Sequence, residues 1–207
     1  MFRKDERSVL FAHIPKTGGS AIEKTFAASG WAVSYLDGKV GPGTVNHVRK
    51  CTPQHMHAEM LETVFRLDRF DAIFAIVRDP IARYRSEYLW RRRKLDEIPL
   101  APERVERWSL AELGKYDAWP FMWDNHLRPQ VEFLLPEMMV FRFEDGLEAA
   151  LRTLDSRHGL GLSVDAPAPR VRTGETFGHR STEVPITRTL ERRLREFYAD
   201  DFRRLGY

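Results

Sequence analysis

An eight-residue apolar run, FDAIFAIV at residues 70–77, constrains the fold of this chain more than any other feature. Apolar residues occupy both of its alternating faces, which is typical of a strand covered on both sides in a parallel sheet. A second short run, SVLFAHI at residues 8–14, also predicts a buried strand. Helical patterns follow both runs. We therefore expect an α/β fold with a mainly parallel central sheet flanked by helices, with ligands bound beyond the carboxyl ends of the strands.

The rest of the chain continues this alternation. Thr52 is the expected N-cap of one helix, with Pro53 at its first position, and Gly159 is the expected C-cap of another. The predicted elements are a helix over 18–30, a strand over 31–36, a helix over 52–67, a helix over 80–94, a strand over 138–143, a helix over 144–158 and a helical tail from 187. A length of 207 residues predicts a single domain spanning 1–207.

Composition excludes several classes of protein. A hydrophobic fraction of 43% is too high for a disordered chain. The 33 basic residues are interspersed with 30 acidic ones, whereas a nucleic-acid-binding protein usually has a concentrated basic face, so we expect no nucleic-acid partner. A single cysteine, Cys51, excludes an internal disulfide. With no apolar window long enough for a membrane span and no signal-peptide pattern, we expect a cytoplasmic location.

The segment HIPKTGGS at residues 13–20 joins the first predicted strand to the first predicted helix. Glycines let backbone N–H groups close around an anion at a helix N-terminus, where the helix dipole also favours negative charge. The Lys16 ammonium and the hydroxyls of Thr17 and Ser20 would add donors. The segment is no Walker A loop, because Lys16 precedes the glycines instead of following them. It predicts a site for a phosphate or sulfate group.

The segment VRDPIARYRSEY at residues 77–88 follows the apolar run. Arg78 ends the most buried predicted strand, where a charge is costly unless an anion meets it. That anion is either a ligand or a carboxylate such as Asp79 or Glu144, and the sequence alone leaves both open. Ser86 lies two turns into the helix that begins at Pro80.

Taken together, the two segments resemble the sulfotransferases that use 3′-phosphoadenosine 5′-phosphosulfate (PAPS), in particular the carbohydrate type related to heparan sulfate 2-O-sulfotransferase. The resemblance rests on PKTGGS at 15–20 and on an RxPxxRxxSxY pattern at 78–88. Further similarity lies in NHLRPQ at 125–130, RFED at 142–145 and YxxDF at 198–202. It implies a P-loop-like three-layer fold, PAPS as donor, adenosine 3′,5′-bisphosphate as product, a carbohydrate or other hydroxyl-bearing acceptor, and no metal.

The resemblance also implies roles for individual residues. Those expected to bind the 5′-phosphosulfate are Lys16, Thr17, Gly18, Gly19 and Ser20, while Arg78 and Ser86 would bind the 3′-phosphate. Arg83 and Arg128 are further candidates for the nucleotide. Arg180 lies in a segment, GHRS at 178–181, that corresponds to a loop closing over the nucleotide in relatives, although an ordinary surface loop is an equal alternative. Lys16 would also stabilise the leaving group.

Transfer of a sulfuryl group to an alcohol needs a base, and a histidine suits neutral pH. The family carries its catalytic histidine between the two phosphate segments, where this chain has His55 and His57. If both were helical they would point about 200° apart, so only one could face a common site. Packing the apolar face of the predicted helix inward buries His57 and leaves His55 freer, so His55 is the expected base and His57 the alternative. His126 is a third candidate.

Two other functions stay open at this stage. One is a nucleotide-dependent kinase or other phosphoryl transferase on a related scaffold, which the missing GK[ST] order and the lack of an Asp-bearing strand for magnesium disfavour. The other is a non-catalytic anion-binding module, since 26 of the 33 basic residues are arginine. The sequence determines neither the identity of the acceptor nor the oligomeric state.

Overall fold

A computed structural model describes residues 1–95, 97–164 and 178–207, which form two compact units. The first unit contains residues 1–77 and the described residues from 132 to 164, and the second contains residues 78–131 and 178–207 without residue 96. The strands are β1 (Phe2–Lys4), β2 (Arg7–Ala12), β3 (Ala32–Val33), β4 (Ala72–Val77) and β5 (Met139–Arg142), all in the first unit.

The helices are divided between the two units. Those of the first unit are α1 (Gly19–Ala28), α2 (Ala58–Val64) and α5 (Leu147–His158). Those of the second are α3 (Pro80–Arg92), α4 (Pro102–Leu113), α6 (Arg188–Phe197) and α7 (Ala199–Leu205). In the described part of the chain, no helix combines the length and the apolar character needed to span a membrane. The expectation of a single domain stays a prediction.

The sheet has the strand order β3-β1-β2-β4-β5. Strand β4 lies between β2 and β5 and pairs with both in parallel, while β1 is antiparallel to β2 and to β3. The apolar run at 70–77 is thus the central parallel strand that its composition predicted, and the α/β class with a mainly parallel sheet flanked by helices is confirmed. Ala12 pairs with Ala75, so β2 and β4 end at the same edge of the sheet.

Alternate residues of β4 carry the core of the first unit. Phe74 and Ile76 pack with Phe11 of β2, with Phe26 of α1 and with Leu154 of α5, and all five side chains are buried. The second unit has a separate core in which residues of α3, α4 and α6 pack around Tyr198. Burial of each large apolar side chain in these cores contributes about 1.5–3 kcal/mol to stability.

Several sequence-based predictions of local structure were wrong. Strand β1 and helix α4 were missed, and the strand expected over 31–36 is reduced to Ala32–Val33. The helix expected over 144–158 begins only at Leu147, because Glu144 lies in a 3-10 turn and Gly146 is the N-cap. The C-terminal helical tail is broken at Tyr198 into α6 and α7.

The segment expected to form one helix over 52–67 has a different structure. A 3-10 turn, Pro53–His55, is followed by Met56 in an extended conformation, and α2 begins only after His57, which is its N-cap. No side-chain hydrogen bond from Thr52 caps the turn. The break at Met56 means that His55 and His57 do not share a helix, so the angular argument that separated them does not apply.

Candidate active site

The loop between β2 and α1 is tightly curved. Lys16 and Gly18 both have a left-handed backbone, with φ of 71° and 92°. For a residue with a side chain this conformation costs about 1–2 kcal/mol, so other contacts must hold Lys16 there. Thr17 supplies one: its side chain is fully buried, and its hydroxyl donates to the carbonyl of Ile14 at 2.8 Å. The loop therefore has a conformation fixed by its own residues.

The two glycines of the loop lie where a side chain would collide with the first unit. A Cβ atom on Gly19 would lie 1.9 Å from Nε2 of His13. A Cβ atom on Gly18 would lie 2.8 Å from Cδ1 of Leu147, and the positive φ of Gly18 strains any other residue. A side chain at either position would therefore have to displace a packed neighbour, independently of any ligand.

The start of α1 has the chemistry of an anion site. The first N–H groups of a helix have no partner within the helix, and the dipole is positive at this end. Ser20, in the first turn, is exposed, and Lys16 is half-buried. The Thr17 hydroxyl donates to the Ile14 carbonyl, and its expected contact with an anion stays a prediction. The backbone N–H groups, Lys16 and Ser20 remain suited to a phosphate or sulfate.

His13 follows β2 directly and lies beside this loop. Its Nδ1 atom is 2.9 Å from Oε1 of Glu23 in α1, and both side chains are largely buried. Its ring meets that of His55 edge-on, with the ring centroids 5.0 Å apart. The first unit therefore brings His55 close to the residue against which Gly19 packs.

The expected difference in exposure between His55 and His57 is wrong. Their exposed fractions are 8% and 6%, so both are buried. Nδ1 of His55 is 3.4 Å from Oγ1 of Thr52, and Nε2 of His57 is 3.6 Å from a carboxylate oxygen of Glu59. Burial therefore gives no reason to prefer one of the two as the base.

In the second unit, Gln130 binds both polar backbone groups of Arg78. Oε1 of Gln130 accepts from the Arg78 N–H at 2.9 Å, and Nε2 donates to the Arg78 carbonyl at 2.7 Å. The buried carboxylate of Asp201 accepts in turn from the backbone N–H groups of Gln130 and Val131, both at 2.9 Å. The backbone of Arg78 is thus fixed by two buried side chains that follow it in the chain.

Helix α3 begins as the sequence predicted. Asp79 is the N-cap and accepts from the N–H of Ala82 at 2.7 Å, with Pro80 at the first helical position. Ser86 is half-buried on α3. Arg83, a candidate for the nucleotide, is only 1% exposed and donates instead to the carbonyls of His126 and Arg128. Arg83 therefore supports the chain at 126–128.

The remaining candidates of the second unit are Arg128 and Arg180. Arg128 is buried, and its Nε donates to Oδ1 of Asn125 at 3.0 Å. Arg180 is exposed, and its N–H donates to the Glu183 carboxylate at 3.1 Å. A hydrogen bond from His179, followed by the one from Arg180, lowers the pKa of Glu183. Whether Arg180 meets a nucleotide stays a prediction.

Sequence reasoning assigned no role to three residues that shape this unit: Glu87, Gln130 and Asp201. Glu87 is 1% exposed and contacts His126, and Asp201 is fully buried. A signal for Glu87 was present, since Glu87 occupies the same face of α3 as Tyr84 and Tyr88. A carboxylate on the apolar face of a helix indicates a buried partner.

The comparison with known families decides the class of the protein. The whole sequence, residues 1–207, matches the Sulfotransferase family. The chain belongs to the sulfotransferase family. The carbohydrate type, on which the resemblance was drawn, fits this family, and the sulfotransferase is therefore an enzyme that transfers sulfuryl groups. Searches of curated proteins and of solved structures found no match for it.

Proposed function

We propose that this sulfotransferase moves the sulfuryl group of PAPS to a hydroxyl of a carbohydrate. The observation that carries the proposal is the loop between β2 and α1. Its left-handed Lys16 and Gly18, its closely packed glycines and the N-terminus of α1 lie at the carboxyl end of a parallel strand, and they support a site for the anionic groups of the donor there. A P-loop-like, three-layer arrangement is part of the same proposal.

The donor would be held by two groups of residues. Lys16, the backbone at 17–19 and Ser20 would bind the 5′-phosphosulfate. Arg78 and Ser86 would bind the 3′-phosphate, and Arg180 would close over the nucleotide. The Gln130 contacts support the assignment of Arg78, because a fixed peptide limits the directions that its side chain can take.

The proposed reaction is an in-line displacement at sulfur. A bond forms between the acceptor oxygen and sulfur while the bond from sulfur to the bridging phosphate oxygen breaks, and that oxygen leaves with the electron pair. The acceptor proton passes to a histidine, for which the first unit offers His55 or His57. Lys16 and the N–H groups of the loop would stabilise the charge on the leaving oxygen, each by about 2–4 kcal/mol.

A carbohydrate acceptor is supported by exposed aromatic surface in the second unit. Trp119 is 59% exposed, and a ring of this kind can stack on a sugar. Trp108 and Trp123 stack on each other with centroids 5.3 Å apart, so each covers one face of the other. Trp119 is accordingly the tryptophan that we propose as a sugar contact.

Thermal unfolding in the presence of ligands tests the function. Adenosine 3′,5′-bisphosphate should raise the melting temperature, while ATP with magnesium and a duplex oligonucleotide should not. Arg78→Ala should weaken bisphosphate binding by about 1.5–3 kcal/mol, the contribution of a charge-assisted hydrogen bond. Arg192→Ala is the matched control, because it removes one exposed arginine of α6. Stabilisation by ATP and magnesium alone would favour a phosphoryl transferase and contradict the proposal.

A further inference from the structure

His13, in the first unit, lies along the first two turns of α1. Its Nε2 atom occupies the space of a missing side chain, 1.9 Å from where a Cβ atom on Gly19 would lie. Its Nδ1 atom is 2.9 Å from Oε1 of Glu23, which comes one helical turn after Gly19. The side chains of His13 and Glu23 are only 11% and 14% exposed. One imidazole thus contacts α1 at its first residue and again one turn later.

The contact with Glu23 requires a proton on Nδ1 of His13. This nitrogen is buried, and its contact with the carboxylate is an ion pair without the alignment of a hydrogen bond. An unprotonated Nδ1 would turn its lone pair toward the carboxylate, and two acceptors at this distance repel each other. Because Nδ1 holds its proton, Nε2 is the atom that can gain or lose one.

Neighbouring rings hold the His13 imidazole in this orientation. Phe11 of β2 stacks on it, with the ring centroids 5.1 Å apart and the ring planes 23° from parallel. His55 meets it edge-on, with the centroids 5.0 Å apart. The face of an aromatic ring attracts a cation, so Phe11 also favours the doubly protonated form of His13. Together with Glu23, these rings keep Nε2 beside the start of α1.

Packing alone does not require a charged pair at this position. An apolar ring stacked on Phe11 could fill the space beside Gly19, and apolar side chains often stabilise a protein as well as a buried ion pair of the same volume. A cation at the N-terminus of a helix is also disfavoured by the helix dipole. Both costs are offset when an anion binds at the same end of α1. The pair of His13 and Glu23 therefore suits an occupied loop better than an empty one.

We propose that Nε2 of His13 donates a hydrogen bond to the 5′ group of the nucleotide and that Glu23 is the positioning residue of this imidazolium. The inference rests on the proposed function, in which the 5′-phosphosulfate binds at the loop between β2 and α1. His13 would add a charged donor to those of Lys16, Ser20 and the backbone. Because His13 would contact the 5′ group alone, its effect on affinity should depend on which phosphate a ligand carries.

The protonation of His13 is measurable without any assay of activity. In protein labelled with ¹⁵N-histidine and saturated with adenosine 3′,5′-bisphosphate at neutral pH, a long-range ¹H–¹⁵N spectrum should show His13 protonated on both nitrogens. Its signals are assigned by their loss in His13→Phe, or in His13→Gln if the first variant does not fold. Adenosine 3′-monophosphate, which lacks the 5′ group, should leave the His13 signals as in the free protein. A bound His13 without a proton on Nε2 would overturn the proposal.

Calorimetric titration with the same two nucleotides tests the contact itself. His13→Phe keeps an aromatic ring beside Gly19 and should lower affinity for the bisphosphate by about 10-fold to 100-fold, the range for a charge-assisted hydrogen bond. Its affinity for adenosine 3′-monophosphate should stay within about twofold of the wild type. Glu23→Gln should lower bisphosphate affinity by about twofold to fivefold, as for loss of one ion-pair partner. The matched control is His158→Phe, at the end of α5, which should bind both nucleotides as the wild type does.

The pattern across the two nucleotides distinguishes failure of this inference from failure of the proposed function. If the wild type binds the bisphosphate and His13→Phe binds it equally well, the inference is wrong and the proposed function stands. Equal losses of affinity for both nucleotides in His13→Phe would indicate a purely structural role and would also overturn the inference. A wild type that binds neither nucleotide would instead contradict the proposed function. The wild-type spectra decide the inference if the His13 variants are too unstable to titrate.

Discussion

The side-chain amide of Gln130 binds both the N–H and the carbonyl of Arg78, and we call this pair of contacts the clamp. The amide accepts from the N–H and donates to the carbonyl, at 2.9 and 2.7 Å, although Gln130 lies 52 positions later in the chain. Gln130 is fully buried and is held by Asp201 from the C-terminal helix α7. The backbone at Arg78 therefore depends on two side chains of the same unit that lie far from it in the sequence.

Removal of the clamp should affect both stability and nucleotide binding. Gln130→Ala leaves two backbone groups of Arg78 without their partner, and each buried group costs about 1–3 kcal/mol. We expect the free energy of unfolding to fall by about 2–4 kcal/mol and bisphosphate affinity to fall about tenfold, close to 1.4 kcal/mol. Urea denaturation and calorimetric titration measure the two effects.

Gln54→Ala is the matched control for the clamp. Gln54 also accepts a backbone N–H, from Asp37 at 3.1 Å, but belongs to the first unit and has no assigned ligand role. It should lower stability by about 1 kcal/mol and leave bisphosphate affinity unchanged. Equal loss of affinity in both variants would mean that Gln130 does not act through Arg78.

A methyl group at Gly19 should disrupt the loop. Because its Cβ would lie 1.9 Å from Nε2 of His13, Gly19→Ala must displace the His13 ring or the start of α1. Overpacking of this kind costs about 1–3 kcal/mol, and we expect bisphosphate binding to weaken at least tenfold. Gly38→Ala is the control, since its Cβ would meet only Gln54, at an ordinary 3.8 Å. Unchanged binding in Gly19→Ala would contradict the assignment of the loop.

Arg83 and Arg78 should give opposite results when replaced by alanine. Arg83→Ala removes the donor from the carbonyls of His126 and Arg128, so we expect a loss of about 3 kcal/mol in stability. Bisphosphate affinity of the folded variant should stay within about threefold of the wild type, whereas Arg78→Ala should lose affinity at little cost in stability. Isothermal titration below the melting temperature separates the effects. A tenfold loss of affinity in Arg83→Ala would return Arg83 to the nucleotide site.

The features that the sequence predicted well depend on neighbours in the chain. Strand β4 was predicted from its own apolar run, the start of α3 from Pro80, and the end of α5 from Gly159, which is left-handed with φ of 59°. Strand β1 was missed because three residues, FRK, carry no pattern of their own. They form a strand because they pair with β2 and β3, and this pairing is not encoded in the local sequence.

The residues of the candidate site also fall into two groups: those predicted from consecutive residues and those that depend on distant contacts. The loop at 13–20 was predicted because strand, lysine, glycines and helix are consecutive. The contact of Glu87 with His126 and that of Asp201 with Gln130 join residues 39 and 71 positions apart, so spacing within a motif could not find them. His55 and His57 were misjudged for another reason: the extended conformation of Met56 breaks the helix that their interpretation assumed.

Tyr198 should make the protein less stable above pH 10. Burial raises the pKa of this tyrosine, and the nearby Arg83 guanidinium offsets only part of the effect. The unfolded chain then loses the phenolic proton near pH 10 while the folded chain keeps it. The contribution of Tyr198 is therefore fully present below pH 10 and is lost as the pH rises further, at up to about 1.4 kcal/mol per pH unit. Burial raises the pKa of Tyr84 and Tyr88 in the same direction.

Tyr198→Phe separates this effect from the hydrogen bond. At pH 7 the variant should be about 1 kcal/mol less stable, because the hydroxyl no longer donates to the Leu127 carbonyl. Between pH 10 and 11 its stability should fall less steeply than that of the wild type, since one of the three buried phenols is gone. Urea denaturation at intervals from pH 7 to 11 gives both values. Parallel pH profiles for the two proteins would show that Tyr198 ionises alike in the folded and unfolded chains, contrary to its burial.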